Sequence, residues 1–324
     1  MHGKSVLLAV FLAGCAATAP STSSGPAPAQ AVSTQDIDRF WAAHDEALKT
    51  DDVAERAAII QRLYIDPGTP GLHALMAARR YTAQSYAEAI TRYPKFWASV
   101  RPLTARARDA ATTLEQDVAA FRRLYPQLQP ATITYAIGAL LTGGTTTGRM
   151  VLIGAEISLT DETVDVSELP EPMRTRLGAF FATRPFANNG QNNIHEYVHT
   201  QQRDSSDVLA ARTVYEGVAE LVAEQVTGKR PALELYRYGP AHAAEIREHF
   251  VAQMDGTKWG DWFYNSSNNR FGVSDVGYYV GYEIAKGFYE KAADKRAAIR
   301  EMIELDYADV AAVKAFIQRS GYLE

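Results

Sequence analysis

Residues 195–199 (HEYVH) constrain the fold of this chain more than any other feature of its sequence. His195 and His199 are four positions apart, so they share one face only where the chain is an α-helix. Two imidazole nitrogens on that face can bind one Zn²⁺ at about 2.0–2.1 Å. Glu196 would then lie beside the open coordination position, where it can accept a proton from water. Because so short a motif also arises by chance, its surroundings must support it.

Three carboxylates at helical spacing follow the motif. Glu216, Glu220 and Glu224 lie one turn apart, a pattern that usually indicates a solvated acidic face. A catalytic zinc has three protein ligands, and Glu216 comes 17 residues after His199, enough for a short loop and a return along the first helix. Gly217 would allow the helices to approach closely. We therefore expect Glu216 to be the third ligand, Glu220 to accept the second N–H of a ligating histidine, and Glu224 to face solvent.

The motif together with residues 216–220 (EGVAE) resembles the gluzincin metallopeptidases, in which the Glu before Gly is the third zinc ligand. Most of residues 36–324 is similar to a narrower group, the predicted zinc-dependent proteases related to gliding-motility lipoproteins. The matching segments are GGT at 143–145, LIGAE at 152–156, HEYVH at 195–199 with QQ at 201–202, EGVAE at 216–220, WFYN at 262–265, GYYVGY at 277–282 and SGY at 320–322. The resemblance implies a single zincin-like metallopeptidase domain over residues 35–324, one Zn²⁺ per chain, and a peptide or protein substrate.

Two tyrosines in the segment at 277–282 are candidate catalytic residues. Tyr278 and Tyr282 are four positions apart, so they share one face if this segment is a helix. A phenol near the metal could donate a hydrogen bond to the oxyanion of a tetrahedral intermediate. We predict this role for both residues, with packing in an aromatic core as the alternative for each.

Three further residues are weaker candidates for the site. His242 and His249 are alternative donors to the oxyanion, although neither belongs to a distinctive motif and a structural role fits both better. Arg270 either anchors a substrate carboxylate or pairs with Asp275.

Periodic apolar residues predict that most of the chain is helical. Helical patterns run through residues 36–124, including one long segment over 102–124, and they return after residue 169. A helix over 206–227 is expected to stop at Gly228, a residue type that favours helix C-termini.

A small sheet is expected before the motif. β-branched and aromatic residues at 131–139 and 149–159 predict two strands, and a turn-rich loop of Gly and Thr separates them at 142–148. The predicted fold class is therefore α+β, mostly helical, with a small sheet beside the HEYVH helix. The strand at 149–159 would be the edge along which an extended peptide lies.

The N-terminus has the pattern of an export signal. Residues 5–14 (SVLLAVFLAG) form an apolar run of about ten residues, too short to span a bilayer. The run ends in LAGC, which resembles the lipobox of bacterial lipoproteins. That resemblance implies a signal peptide over residues 1–14 and a lipid anchor at Cys15, and Ala16 favours the outer membrane, facing the periplasm. The alternative is an ordinary secretory signal followed by a chance cysteine.

Composition separates a tether from the folded part. Residues 15–34 are uncharged and rich in Ala, Pro and Ser, which predicts a flexible tether. No comparable linker interrupts residues 35–324, so one domain is expected there. The chain has 33 Lys+Arg and 38 Asp+Glu, and its net charge of −5 gives no electrostatic reason to expect nucleic-acid binding.

These patterns predict a lipid-anchored zinc peptidase in the bacterial envelope. One rival is a zinc-binding or envelope-assembly lipoprotein without turnover; Glu196 argues against it, because a pure binding site needs no base. The other rival is a zinc hydrolase of non-peptide substrates, which would use the same residues.

Overall fold

The computed structural model describes residues 31–230, 233–265 and 269–324. The expected signal peptide at 1–14 and Cys15 lie outside the described residues. A short strand, β1 (Val32–Ser33), pairs with the sheet, so the end of the segment at 15–34 is part of the folded unit. The chain from Ala31 to Glu324 forms one compact unit.

The chain after β1 is helical as far as residue 124. Its helices are α1 (Gln35–Ala47), α2 (Val53–Ile60), α3 (Pro70–Arg79), α4 (Ala83–Arg92), α5 (Pro94–Thr104) and α6 (Ala107–Leu124). The side chains of Asp52, Thr69 and Thr82 accept backbone N–H groups at the starts of α2, α3 and α4, which stabilises those helix ends. The rings of Phe40 and Trp97 pack 5.2 Å apart and join α1 to α5 in the core.

The single helix expected over residues 102–124 is wrong. α5 ends at Thr104 and α6 begins at Ala107. Pro102 lies inside α5, and because it has no N–H it weakens the backbone ladder just before the helix ends. The hydroxyl of Thr104 accepts a hydrogen bond from Trp41 Nε1 at 2.9 Å, which anchors this end to α1.

A four-stranded mixed sheet follows. Its further strands are β2 (Thr132–Ala136), β3 (Gly144–Thr147) and β4 (Met150–Gly154), in the spatial order β1-β2-β4-β3. β1, β2 and β4 are parallel, and β3 is antiparallel to β4. Helix α3 packs on β2 so closely that a Cβ at Gly71 would lie 2.1 Å from Thr134 Oγ1, so only glycine fits there.

Two expectations about this sheet are wrong. The segment at 142–148 is not only a loop, because its Gly144–Thr147 part forms β3. The strand expected at 149–159 ends at Gly154, and a short helix, α7 (Ala155–Ser158), follows it. β4 lies between β2 and β3, where its central residues are buried, so the edge strand is β3 rather than β4.

The rest of the described chain is helical. The helices after α7 are α8 (Met173–Ala182), α9 (Asn189–His199), α10 (Leu209–Thr227), α11 (Leu235–Ala241), α12 (Ala243–Gln253), α13 (Val276–Lys291), α14 (Lys295–Glu304) and α15 (Val310–Ser320). α10 ends where expected, with Gly228 in the left-handed region at φ 67°. A Cβ at Gly217 would lie 1.8 Å from the carbonyl carbon of Gly281, so glycine is required where α10 crosses α13.

The α+β class is confirmed: the protein is mostly helical and has one small mixed sheet. Across residues 31–230, 233–265 and 269–324, none of the helices is both long enough and apolar enough to span a bilayer.

Candidate metal centre

Buried hydrogen bonds fix helix α9 against the sheet. Tyr197 is buried, and its hydroxyl accepts from the backbone N–H of Ala131 at 3.0 Å, next to β2. From β2 itself, the Tyr135 hydroxyl donates to Asn189 Oδ1 at 2.8 Å. The side chain of Asn193 closes this network by donating to Asn189 Oδ1 at 2.9 Å. The register of α9 on the sheet is therefore set by polar contacts as well as by packing.

Three side-chain atoms, two from α9 and one from α10, lie close together. His195 Nε2 and His199 Nε2 lie 3.0 Å apart. Glu216 Oε2 lies 3.3 Å from the first of these nitrogens and 3.1 Å from the second. His195 is 7% exposed and Glu216 is 3% exposed, so bulk water does not solvate this group freely. The group could hold a metal ion.

The contacts of Gln202 determine which nitrogen of His199 has a proton. The amide of Gln202 donates to the backbone oxygen of Tyr215 at 3.0 Å and to the Tyr307 hydroxyl at 2.9 Å. Its oxygen therefore faces His199 Nδ1, at 2.7 Å, and can only accept. Nδ1 is thus the donor, and Nε2 presents a lone pair to the centre. The ring of Tyr215 stacks on His199 at 4.4 Å and holds its orientation.

Glu220 lies on the outer side of His195. Its Oε1 is 2.9 Å from His195 Nδ1, although the N–H does not point along this contact as in a well-aligned hydrogen bond. The Tyr236 hydroxyl donates to the other oxygen, Oε2, at 2.8 Å. An acidic acceptor at Nδ1 favours a proton there, so Nε2 of His195 also presents its lone pair to the centre.

The charges of this group depend on one another. Burial opposes ionisation of Glu216, but the imidazoles of His199 and His195 outweigh it and lower the pKa of this carboxyl far below its usual range. Burial likewise opposes charging of His195, yet the contacts with Glu216 and Glu220 raise its pKa well above the ordinary value, so a metal ion would have to displace a proton from its Nε2. The carboxylate at Glu216 is therefore ionised and strongly attracts positive charge.

The donor set fits a tetrahedral metal ion. Two nitrogen lone pairs and one carboxylate oxygen point at the same place, and such an arrangement is repulsive unless a cation lies between the three atoms. A tetrahedral ion with bonds of about 2.0–2.1 Å requires ligand atoms about 3.3 Å apart. The observed separations of 3.0, 3.1 and 3.3 Å are close to this value. Two histidines and one carboxylate form a set typical of catalytic zinc.

Glu196 points into the same cleft from the next position of α9. Its Oε2 accepts a hydrogen bond from the Thr146 hydroxyl of β3 at 2.5 Å. The cleft has a volume of about 700 Å³ and is lined by β3, the centre, Arg79, Arg149, Arg212 and several tyrosines. A carboxylate that lines the same open cleft as the three converging atoms can act as a base toward a molecule bound there.

Of the two predicted tyrosines, only Tyr278 lines the cleft. Its ring centroid is 6.0 Å from that of His195, and burial raises the pKa of its phenol, which therefore stays protonated. The prediction that Tyr282 faces the metal site is wrong. One helical turn further along α13, Tyr282 is buried elsewhere, and its hydroxyl accepts from Arg230 Nη2 at 2.8 Å.

The two alternative histidine donors do not line the cleft. The ring of His242 stacks on Tyr238 at 3.8 Å, and its Nδ1 lies 2.9 Å from the backbone oxygen of the same residue. The ring of His249 packs against Phe271 at 6.1 Å. Both positions fit structural roles.

Two expectations about charged residues, Arg270 and Glu224, are not met. Arg270 is outside the cleft lining, and no ion pair joins it to Asp275 in the described part of the chain; its guanidinium lies 5.9 Å from a phenyl ring. Asp275 instead accepts from the backbone N–H of Asn265 at 3.4 Å. Glu224, expected in solvent, is half-buried, because Arg230 and Tyr282 of α13 pack beside it.

The sequence patterns missed four residues of the site. Thr146, Gln202, Tyr215 and Tyr264 contact the ligands or Glu196 directly. The Tyr264 hydroxyl donates to Glu216 Oε1 at 3.2 Å, and burial together with the charge of Glu216 raises the pKa of this phenol to about 12. The three threonines at 145–147 are β-branched and favour a strand. The glycines on both sides of them favour a turn, so the sequence predicted a loop.

Comparison with known proteins adds no further information about the site. No protein-family model, curated protein or solved structure matches this chain. The resemblance to gluzincins therefore stays a prediction, and function has to be inferred from the residues of the cleft.

Proposed function

We propose that this protein is a zinc-dependent peptidase with a zincin-like core, in which His195, His199 and Glu216 hold one Zn²⁺ and Glu196 is the general base. The main support is that Glu196 lines the same open cleft as the three converging ligand atoms. Nitrogen ligands favour zinc over Mg²⁺ or Ca²⁺, which prefer oxygen.

When bound, Zn²⁺ would lower the pKa of a water and polarise the carbonyl of the scissile bond. Glu196 then accepts the proton of the attacking water and can return it to the leaving amine. Thr146 donates to Oε2 of Glu196, which orients the carboxylate and leaves Oε1 available to the water. This arrangement separates the base from the ligands, so neutralising Glu196 should leave the metal site intact.

Two protonated phenols support the same reaction. Tyr278 lines the cleft beside His195, and its raised pKa keeps it a hydrogen-bond donor near neutral pH. Tyr264 lies on the same wall and donates to Glu216. A donor at Tyr278 is placed to stabilise negative charge that develops on the carbonyl oxygen.

We also propose that the protein is anchored in the bacterial envelope through lipidated Cys15, facing the periplasm, and that the anchor is in the outer membrane. This proposal follows from the apolar run and LAGC alone. Palmitate should be incorporated into the wild-type chain and not into Cys15→Ser. Equal partitioning of both into detergent would show that Cys15 is not the anchor.

The test of the peptidase function is Glu196→Gln, which keeps the side-chain shape and removes the charge. We expect near-normal zinc content and folding, with hydrolysis of a mixed peptide library reduced by about 100-fold or more. Glu224→Gln is the matched control, since this carboxylate is also half-buried but lies outside the cleft lining.

Two outcomes would contradict the proposal. Unchanged hydrolysis in Glu196→Gln would show that this residue is not the base. Absence of any peptide cleavage by the zinc-loaded wild type, with ester or amide substrates cleaved instead, would favour a non-peptide hydrolase; cleavage of neither would favour a binding lipoprotein.

A further inference from the structure

We propose that the cleft binds peptides with carboxylate groups on both sides of the bond to be cleaved, and that Arg79 and Arg149 bind those groups. This inference rests on the proposed peptidase function and adds a substrate class to it. It follows from the position of the two arginines, and from two features of the described residues: none of them is an acidic partner for these arginines, and no strand among them pairs with the outer edge of β3.

The two arginines lie at opposite ends of the edge strand. Arg79 is the last residue of α3, and its Nη2 is 3.3 Å from the hydroxyl of Thr142, two residues before β3 begins. Arg149 comes two residues after β3 ends. Both line the cleft, and between them Thr146 contacts Glu196. The base therefore faces the middle of the strand and the cations face its ends.

Neither arginine has an acidic partner within the described ranges. The side chain of Arg79 contacts the neutral Thr142, and the side chain of Arg149 makes no hydrogen bond or ion pair with the described residues. A third arginine of the cleft is different: Arg212 lies 3.6 Å from Glu216 and stacks over the ring of Trp259 at 5.0 Å. Arg212 is thus occupied in shaping the centre, whereas Arg79 and Arg149 remain able to pair with a ligand.

The cleft differs in charge from the protein as a whole. The chain has 38 acidic and 33 basic residues and a net charge of −5. The acidic residues of the lining are Glu196, Glu216 and Asp204. The first is the base, and the second faces two histidines. The three arginines offset these three carboxylates, so a bound divalent cation would leave the cleft with a net positive charge that attracts anions.

The free edge of β3 suggests how such a peptide would lie. Among the described strands β3 pairs only with β4, and Gly144, Thr145 and Thr146 line the cleft. An extended peptide beside this edge advances about 3.3 Å per residue. With its scissile bond near Thr146, carboxylates about two residues to either side fall within reach of the arginine side chains.

The two partners are expected to contribute unequally. Arg79 is half-buried, and a charge-assisted pair in such a place should favour an acidic peptide about 10-fold over its amide analogue. Arg149 is exposed, so its pair is screened by salt and should contribute about 3-fold or less.

The experiment compares end-blocked ten-residue peptides of Ala, Leu and Gln in which Glu replaces Gln at one position at a time. The zinc-loaded wild type should cleave the best Glu peptide with a kcat/KM about 10-fold above that of its Gln analogue. Arg79→Gln should remove most of this preference, and Arg149→Gln a smaller part. Arg80→Gln, an exposed neighbour that does not line the cleft, should keep it.

Two further arms define the source of the carboxylate and provide a readout without turnover. Peptides with a free C-terminal carboxylate and no Glu test whether the chain terminus can replace an acidic side chain. Binding of fluorescent Glu and Gln peptides to Glu196→Gln, measured by anisotropy, should show the same 10-fold preference and its loss in the added Arg79→Gln variant.

The outcomes separate this proposal from the function on which it rests. Equal cleavage of Glu and Gln peptides, or a preference that survives replacement of both arginines, would overturn the substrate class and leave the peptidase proposal standing. If the zinc-loaded protein cleaves no peptide, the peptidase proposal fails, and the anisotropy preference alone decides whether the arginines bind carboxylates.

Discussion

Glu216 and Glu156 are both buried carboxyl groups, yet their surroundings favour opposite charge states. Glu156 is fully buried and accepts backbone N–H groups from Gly138 at 2.8 Å and Leu140 at 3.2 Å. Burial raises its pKa to about 7 because these N–H groups only partly offset the loss of water. Glu216 is as deeply buried, but positive partners lower its pKa far below the ordinary value.

The difference shows that burial alone does not determine the charge of a carboxyl group. Burial favours the neutral form at both positions, and only Glu216 faces two imidazoles with an arginine nearby. A carboxylate kept ionised in the interior is suited to bind a cation. At Glu156 only backbone N–H groups favour the ionised form, so this carboxyl group can take up a proton near neutral pH.

The largest expected effect is at the ligand itself. Glu216→Ala removes one of the three proposed metal-binding atoms, so we expect the Kd for Zn²⁺, measured by competition with a chromophoric chelator, to rise by more than about 100-fold. Glu156→Gln is the matched control and should leave the Kd unchanged. If Glu156→Gln also lost zinc binding, the proposed difference between the two buried carboxyl groups would be wrong.

Glu220→Ala should weaken zinc binding less, by about 10–100-fold, because it removes only the acceptor beside His195 Nδ1. The same competition assay measures this. If Glu220→Ala lost zinc while Glu216→Ala retained it, Glu220 would be the ligand and Glu216 the residue that supports it.

Glu156 should make stability depend on pH. Its carboxyl ionises near 4.5 when unfolded and near 7 when folded, so the folded state holds an extra proton between these values. Its contribution to stability therefore falls as pH rises from about 4.5 to about 7. Between pH 5 and pH 8 the wild type should lose about 2 kcal/mol more of its free energy of unfolding than Glu156→Gln, measured by urea denaturation. Parallel pH profiles would refute the raised pKa.

The smallest expected effect distinguishes Tyr278 from Tyr282, two of the tyrosines of α13. Tyr278→Phe removes a donor beside His195 and should reduce kcat of peptide hydrolysis by about 10-fold. Tyr282→Phe removes a hydroxyl that pairs with Arg230 away from the cleft, so kcat should change by less than about 2-fold. Equal losses in both variants would indicate a structural effect of α13 instead.

The ligand group was predictable because its geometry depends on local spacing. Four positions along a helix bring His195 and His199 together, and the 17-residue separation before Glu216 allows the chain to return on a second helix. Gly217 indicated a close crossing, and it meets Gly281 of α13. These signals lie within the residues themselves and need no knowledge of the tertiary structure.

Other parts of the site depend on contacts between distant segments. Thr146 reaches Glu196 only because β3 is added to the sheet as an edge strand, and a glycine- and threonine-rich segment also predicts a turn. Tyr282 was placed in the site by its four-residue spacing from Tyr278. Each helical position differs by about 100°, so four positions leave a rotation of about 40° and a rise of about 6 Å, which turns Tyr282 toward Arg230.

The most direct test of the account is the amount of zinc that the protein binds. Metal is removed with a chelator, and Zn²⁺ is titrated back by calorimetry into the wild type, His195→Ala and His199→Ala, with circular dichroism to confirm that all three are folded. We predict one tightly bound Zn²⁺ per wild-type chain and a loss of most of that binding in each variant. Unchanged binding in the folded histidine variants, or no tight binding in the wild type, would contradict the assignment of His195, His199 and Glu216 as a zinc site.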